Sequence, residues 1–124
     1  MKTHHRLPDG ELEIMQIIWK NAPPVSRSVI EKALNRERSL APSTIITFLS
    51  RLCDKGFLQV EHQGRTNLYT PLVAQKDYLA GESRAFLDRV YGGSVSAFAA
   101  SLCDSGLTAE DVEALRKFLE DNAL

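Results

Sequence analysis

Residues 40–56 read LAPSTIITFLSRLCDKG. Ile45, Phe48, Leu49 and Leu52 fall at i, i+3, i+4 and i+7, one apolar stripe of a helix. The other side carries Ser43, Ile46, Thr47, Ser50 and Arg51: small hydrogen-bonding groups, one cation and one aliphatic side chain. A solvated helix face is usually loaded with Glu and Lys. A face of Ser, Thr and Arg with an outward Ile suits base edges and phosphates in a DNA major groove. Taken by itself the stretch reads first as an ordinary amphipathic helix, and its neighbours change that reading.

Before it, Asp9 is placed to cap a first helix, with Glu11 in the first turn. Leu12, Met15, Ile18 and Trp19, widened by Ile14 and Ile17, give that helix a broad apolar face. Asn21-Ala22-Pro23-Pro24 ends it, because proline cannot continue the ladder. Ser26 caps a second helix with Val29, Ile30, Ala33 and Leu34 as its apolar positions. Asn35 to Ser39, NRERS, is a polar connection into the third helix, which has Pro42 in its first turn and Gly56 as its stop.

After Gly56 the period changes to two. Leu58 and Val60 alternate with Gln59 and Glu61, a turn is expected around His62-Gln63-Gly64, and a second strand runs from Arg65 to Thr70, closed by Pro71. Three short helices followed by a β-hairpin is the winged-helix arrangement, with the hairpin as the wing. That order favours the DNA reading of the third helix. The expected fold is mainly α with a small hairpin wing: a winged helix-turn-helix over residues 1–71, then a helical dimerisation region over 72–124.

In that second region Leu79, Ser83, Phe86, Leu87 and Val90 share one side of a helix that Gly92-Gly93 breaks. Val95, Phe98, Ala99 and Leu102 are in register on a short helix from about Ser94. Thr108 with Asp111 starts a last helix carrying Val112, Leu115, Phe118 and Leu119. Three short amphipathic helices are too few to close a core of their own. Leu79, Phe86, Val90, Phe98, Leu102, Val112, Leu115, Phe118 and Leu119 therefore need cover, and a second copy of the chain is the simplest supplier.

Composition bounds the rest. The chain has 124 residues, 44% hydrophobic and 25% charged, ordinary for a soluble globular protein. No apolar run approaches the roughly 18 residues of a membrane span, and the N-terminus lacks a signal-peptide core, so a cytoplasmic protein is expected. Cys53 and Cys103 make no disulfide framework. The net charge is −1, but residues 1–71 hold ten Lys and Arg against seven Asp and Glu, while residues 72–124 hold five against nine. A mildly basic half followed by an acidic half fits a DNA-binding part and an assembly part.

Three runs carry a family resemblance: LPDGELEIMQIIWKNAPPVSRSVIEKAL, PSTIITFLSRLCDKGFLQVEHQGRTNLYTPLV and ESRAFLDRVYGGSVSAF. Together they resemble the BlaI/MecI-type penicillinase repressors, a family that also includes the copper-responsive CopY repressors. The resemblance covers about Leu7 to Leu119. It implies a homodimeric winged-helix repressor that binds short inverted repeats through the third helix and wing. It also implies a sensor or protease partner in the penicillinase branch, where the repressor is cut at an Asn-Phe bond after the GGS segment; the counterpart here is Ser101-Leu102. The Cys-x-Cys pairs of the copper branch are missing. Family members commonly carry Trp, Ser, Lys and Arg where this chain has Leu40, Ala41, Ser43 and Ile46, so the operator sequence does not carry over. Losing two cations weakens phosphate attraction, while Ile46 can meet a thymine methyl.

Candidate DNA-contacting residues are thus Ala41, Ser43, Thr44, Ile46, Thr47 and Arg51 on the third helix and Arg65 in the wing, with double-stranded DNA as partner. Arg65 is read as a phosphate contact; Tyr69 is balanced between that and a hairpin side-chain pair. No catalytic constellation, cofactor motif or metal-ligand spacing appears, and His4, His5 and His62 stand apart from other ligands. Cys53 reads as a small buried hydrophobe and Cys103 as packing. Two function classes remain: a sequence-specific repressor, favoured by the absence of acidic residues between Ser43 and Arg51, and a protein-interaction module on the same scaffold.

Overall fold

The computed structural model describes residues 6–36 and 40–122. His4, His5 and the later part of the NRERS connection, residues 37–39, lie outside the described residues. The elements are α1 (Asp9–Trp19), β1 (Val25–Ser26), α2 (Arg27–Asn35), α3 (Pro42–Asp54), β2 (Leu58–Gln63), β3 (Thr66–Pro71), α4 (Gln75–Tyr91), α5 (Val95–Asp104) and α6 (Ala109–Asp121). They divide into two compact units, Met1–Glu82 and Ser83–Leu124.

The first unit is a winged helix. Its core joins Ile14, Met15 and Ile18 of α1, Ile30 and Leu34 of α2, and Ile45, Leu49 and Leu52 of α3 to Phe57, Leu58 and Tyr69 of the hairpin region. Of the stripes expected for α1 and α3, Ile14, Met15, Ile18, Ile45, Leu49 and Leu52 are buried and Leu12, Ile17, Trp19 and Phe48 pack half-buried against them, whereas Val29 on α2 faces outward. Asp9 is the first residue of α1 and not its cap. Pro8 holds the cap position without a side-chain bond, and its carbonyl accepts from the Leu12 N–H at 2.9 Å. Ser26 caps α2 as expected, accepting from the Val29 N–H. At the end of α3 the Gly56 N–H donates to Cys53 O and the Phe57 N–H to Leu52 O. That pair of bonds is a Schellman ending, which needs the left-handed conformation Gly56 adopts at φ 82°.

The sheet has three strands in the order β1-β3-β2. β1, which the sequence reading lacks, pairs Val25 with Tyr69 and Ser26 with Leu68. The hairpin turn is Gly64-Arg65, tighter than expected: His62 and Gln63 belong to β2, and Gln63 pairs with Thr66. Gly64 makes this reversal possible at φ 63°.

Two ties run outside the expected stripes. Glu11 is 1% exposed, and its carboxylate meets Lys55 Nζ at 2.5 Å, joining the start of α1 to the end of α3. Val73 and Tyr78 enter the core from beyond Pro71: Tyr78 Oη accepts from the Leu7 N–H at 2.9 Å, and Trp19 Nε1 donates to Val73 O at 2.9 Å. Tyr78 also meets Trp19 at a tilt and Phe57 edge-on, with ring centroids 5.8 and 5.7 Å apart. The compact unit accordingly runs to Glu82, past the expected boundary at Pro71.

In the second unit, Phe86, Tyr91 and Phe98 form an aromatic cluster around the Gly92-Gly93 break, with centroids 5.3–6.2 Å apart. Ser94 caps α5, and Thr108 with Asp111 forms the capping box of α6. None of the described residues of α5 or α6 is buried within the single chain.

Candidate nucleic-acid interface

The packing of α3 decides which of its residues can meet a partner. Ile45, Leu49 and Leu52 anchor one side in the core, which turns Ser43, Ile46, Thr47, Ser50 and Arg51 outward. Thr44 is half-buried at the margin of that face. Ala41 is the N-cap and its methyl accepts no hydrogen bond, so the positive end of the α3 dipole is not screened by its own cap side chain. Thr47 Oγ1 donates to Ser43 O at 2.9 Å. Its proton is therefore engaged, leaving a methyl and an acceptor for a partner.

Arg65 sits in the exposed hairpin turn. It lines a cleft of about 180 Å³ with Arg27, Ser28, Glu31, Thr66 and Asn67. Arg27 was missed in the sequence: it opens α2, 38 positions before Arg65, and only the fold brings the two cations to one cleft. Its Nε lies 3.3 Å from Glu31 Oε1, which holds the guanidinium on its own helix. Between α3 and the wing a second groove is lined by Ile46, Ser50, Cys53 and Asp54 on one side and Val60, His62, Asn67 and Tyr69 on the other. All the DNA-contact candidates except Arg65 thus lie along α3, and Arg65 is presented from the wing.

Tyr69 does not join them. It is 5% exposed, paired in the sheet with Val25 and Val60, and burial pushes its phenol up against the opposing hydrogen bond with Asn67. Cys53 is half-buried against the core, and its thiol is pushed up by burial and then by Asp54. It is thus half-buried and lines the groove where full burial is expected, and Cys103, expected as packing, is exposed within the single chain. Among the described residues no three His, Cys, Asp or Glu side chains are grouped to hold a metal ion. No helix among them is long and apolar enough to cross a membrane.

Of the residues expected at a dimer contact, Leu79, Phe86, Val90, Val112, Leu115, Phe118 and Leu119 are exposed, Phe118 at 61%. Phe98 and Leu102 are half-buried. The Ser101-Leu102 bond lies within α5, three residues before the helix ends.

A three-stranded sheet and a helix whose outward residues from Ser43 to Arg51 are uncharged but for Arg51, with a cationic hairpin turn following, define a winged helix-turn-helix protein. The sequence pattern of the penicillinase repressors matches residues 7–121, and the chain belongs to that family, one of repressors and not of enzymes. The penicillinase repressor of Bacillus licheniformis is 34% identical over 123 residues, covering 98% of this chain and 95% of that one. The methicillin resistance regulatory protein MecI of Mammaliicoccus sciuri is 28% identical over 116 residues, covering 93% and 94%. The Bacillus licheniformis BlaI, solved as a monomeric form in complex with the blaP half-operator, superposes with a TM-score of 0.53 at 37% identity, covering 63% of this chain and 94% of that one.

Proposed function

We propose that this chain is a cytoplasmic, sequence-specific transcriptional repressor that binds an inverted-repeat operator as a homodimer and is released by an inducing signal. The observation that carries the reading is the outward face of α3, from Ser43 to Arg51, free of acidic side chains and flanked by the Arg65 turn. Over that span no carboxylate opposes a phosphate, the nearest ones being Asp54 at the end of α3 and Glu31, which pairs with Arg27. The hydroxyls of the face pair with base edges, and Arg51 and Arg65 neutralise backbone charge. The relative solved on its half-operator supports the same docking for the first unit.

In this reading residues 1–71 read DNA and residues 72–124 assemble the dimer. Outward Leu79, Phe86, Val90, Val112, Leu115, Phe118 and Leu119 are too many large apolar side chains to leave in water, at about 1.5–3 kcal/mol for each one fully buried. A C2 contact covers them on both copies at once and matches a two-fold operator. Release can then proceed through a sensor or protease acting at Ser101-Leu102. Because that bond is helical, α5 must open before it is cut.

The test combines selection and sedimentation. Duplexes retained from a random pool should converge on an inverted repeat, and the full chain should sediment as a dimer at micromolar concentration. A pool that does not converge would leave the repressor reading without support. A monomeric chain would overturn the homodimer. Leu115→Glu with Phe118→Glu should yield a monomer that retains the first unit's fold.

A further inference from the structure

Of the described large apolar side chains on α3, Ile46 alone lies outside the core and its packed fringe. It is 46% exposed, so packing does not account for it. Its i−3 and i+4 neighbours on the helix face are Ser43 and Ser50, and towards the wing it shares a groove with Val60 and Tyr69, which leaves its outer side open to a partner. It also stands in the N-terminal half of α3, the part of such a helix that enters the major groove most deeply.

The major groove offers donors and acceptors at every base pair and one apolar feature, the 5-methyl group of thymine. An Ile side chain set against a donor or acceptor would strip it of water and return no hydrogen bond, a net penalty. Set against the methyl, it buries apolar surface on both partners. Thr47 reinforces the preference, since its hydroxyl proton is held by Ser43 O and cannot donate to a base acceptor at the same place.

On these grounds, and resting on the DNA-binding reading above, we infer that Ile46 reads the 5-methyl group of one thymine in each operator half-site. The contact discriminates by attraction to the methyl and by exclusion of bases that place a polar group there.

The experiment starts with duplexes selected by the intact protein from a random pool. Each thymine of the selected site is then replaced singly by deoxyuridine, which removes the methyl and keeps every hydrogen-bonding group. One position per half-site should lose roughly fourfold in affinity, the effect of a single buried methyl-sized group, and roughly sixteenfold when both half-sites are replaced. The loss should vanish in Ile46→Ala, which removes an exposed side chain and leaves the core intact, and should persist in part in Ile46→Val. 5-Methylcytosine at that position should bind better than cytosine. If the selected duplex binds but no thymine shows a loss shared with Ile46, or methylated and plain cytosine bind equally, the inference falls while DNA binding stands. If no duplex is selected, the DNA-binding reading falls and takes this inference with it.

Discussion

Replacing Lys55 by Met removes the counter-charge of a carboxylate that is 1% exposed. Glu11 would keep its place at the start of α1 with no cation at 2.5 Å. Breaking a buried ion pair from one side costs about 3–5 kcal/mol, because the remaining charge is stranded in low dielectric. The Lys55 side chain is 31% exposed, so water can follow into its place, and the lower end, about 3 kcal/mol, applies. That is a large share of the roughly 5–15 kcal/mol that holds a domain folded. With a urea slope of about 1–1.5 kcal/mol per molar for a unit of this size, the midpoint should drop by about 2–3 M. Trp19, the only tryptophan and part of the first unit, reports the transition by fluorescence. Glu11→Leu combined with Lys55→Met replaces the pair by two apolar side chains and should recover to within about 1 kcal/mol of the native chain. A loss under about 0.5 kcal/mol in Lys55→Met, or a double variant no better than the single one, would refute the reasoning.

Three further outcomes are expected. A fragment ending at Glu82 should fold, whereas one ending at Pro71 loses Val73 and Tyr78 and with the aromatic ring alone about 3–5 kcal/mol; equal thermal melting of the two would contradict this. Arg65→Ala should weaken all duplexes together and lower the slope of log affinity against log salt by about 0.9 if it meets one phosphate; wild-type affinity at every salt concentration would remove Arg65 from the interface. Burial raises the Tyr69 phenol above its ordinary value of 10.0. Stability held by its neutral form is then complete below pH 10.0 and lost as pH rises past it, because the unfolded chain ionises first. Tyr69→Phe should flatten that alkaline decline, read as urea midpoints between roughly pH 8 and 11, and an unchanged decline would count against the buried phenol.

What was legible in the sequence is what depends on near neighbours. The stripe of Ile45, Leu49 and Leu52, the glycine ending at Gly56 and the capping box of Thr108 and Asp111 are all set within seven residues, and each stands in the structure. What was missed depends on distant ones. Glu11 looks like a helix-start acid until Lys55 arrives 44 positions later. β1 is two residues long, too short for any period, and exists because β3 has an open edge at Leu68 and Tyr69. Arg27 shares a cleft with Arg65 only through the wing, and Tyr78 joins the core only through Leu7, Trp19 and Phe57. Asp9 misled because an acid near a helix start serves either as a cap or as a first-turn charge, and Pro8 had already taken the cap position.

The position of β2 has a consequence for how the protein behaves at high concentration. It is the outer strand of the sheet, and five of its six residues, from Gln59 to Gln63, are exposed. An outer strand invites another chain to pair with it and so to seed fibrils. Parallel stacking of β2 in register would set successive Glu61 carboxylates about 4.8 Å apart, a repulsion of about 1 kcal/mol per step even at the dielectric of water. Glu61 thus disfavours parallel, in-register stacking of the wing by that amount at each step, while the outer edge of β2 stays open.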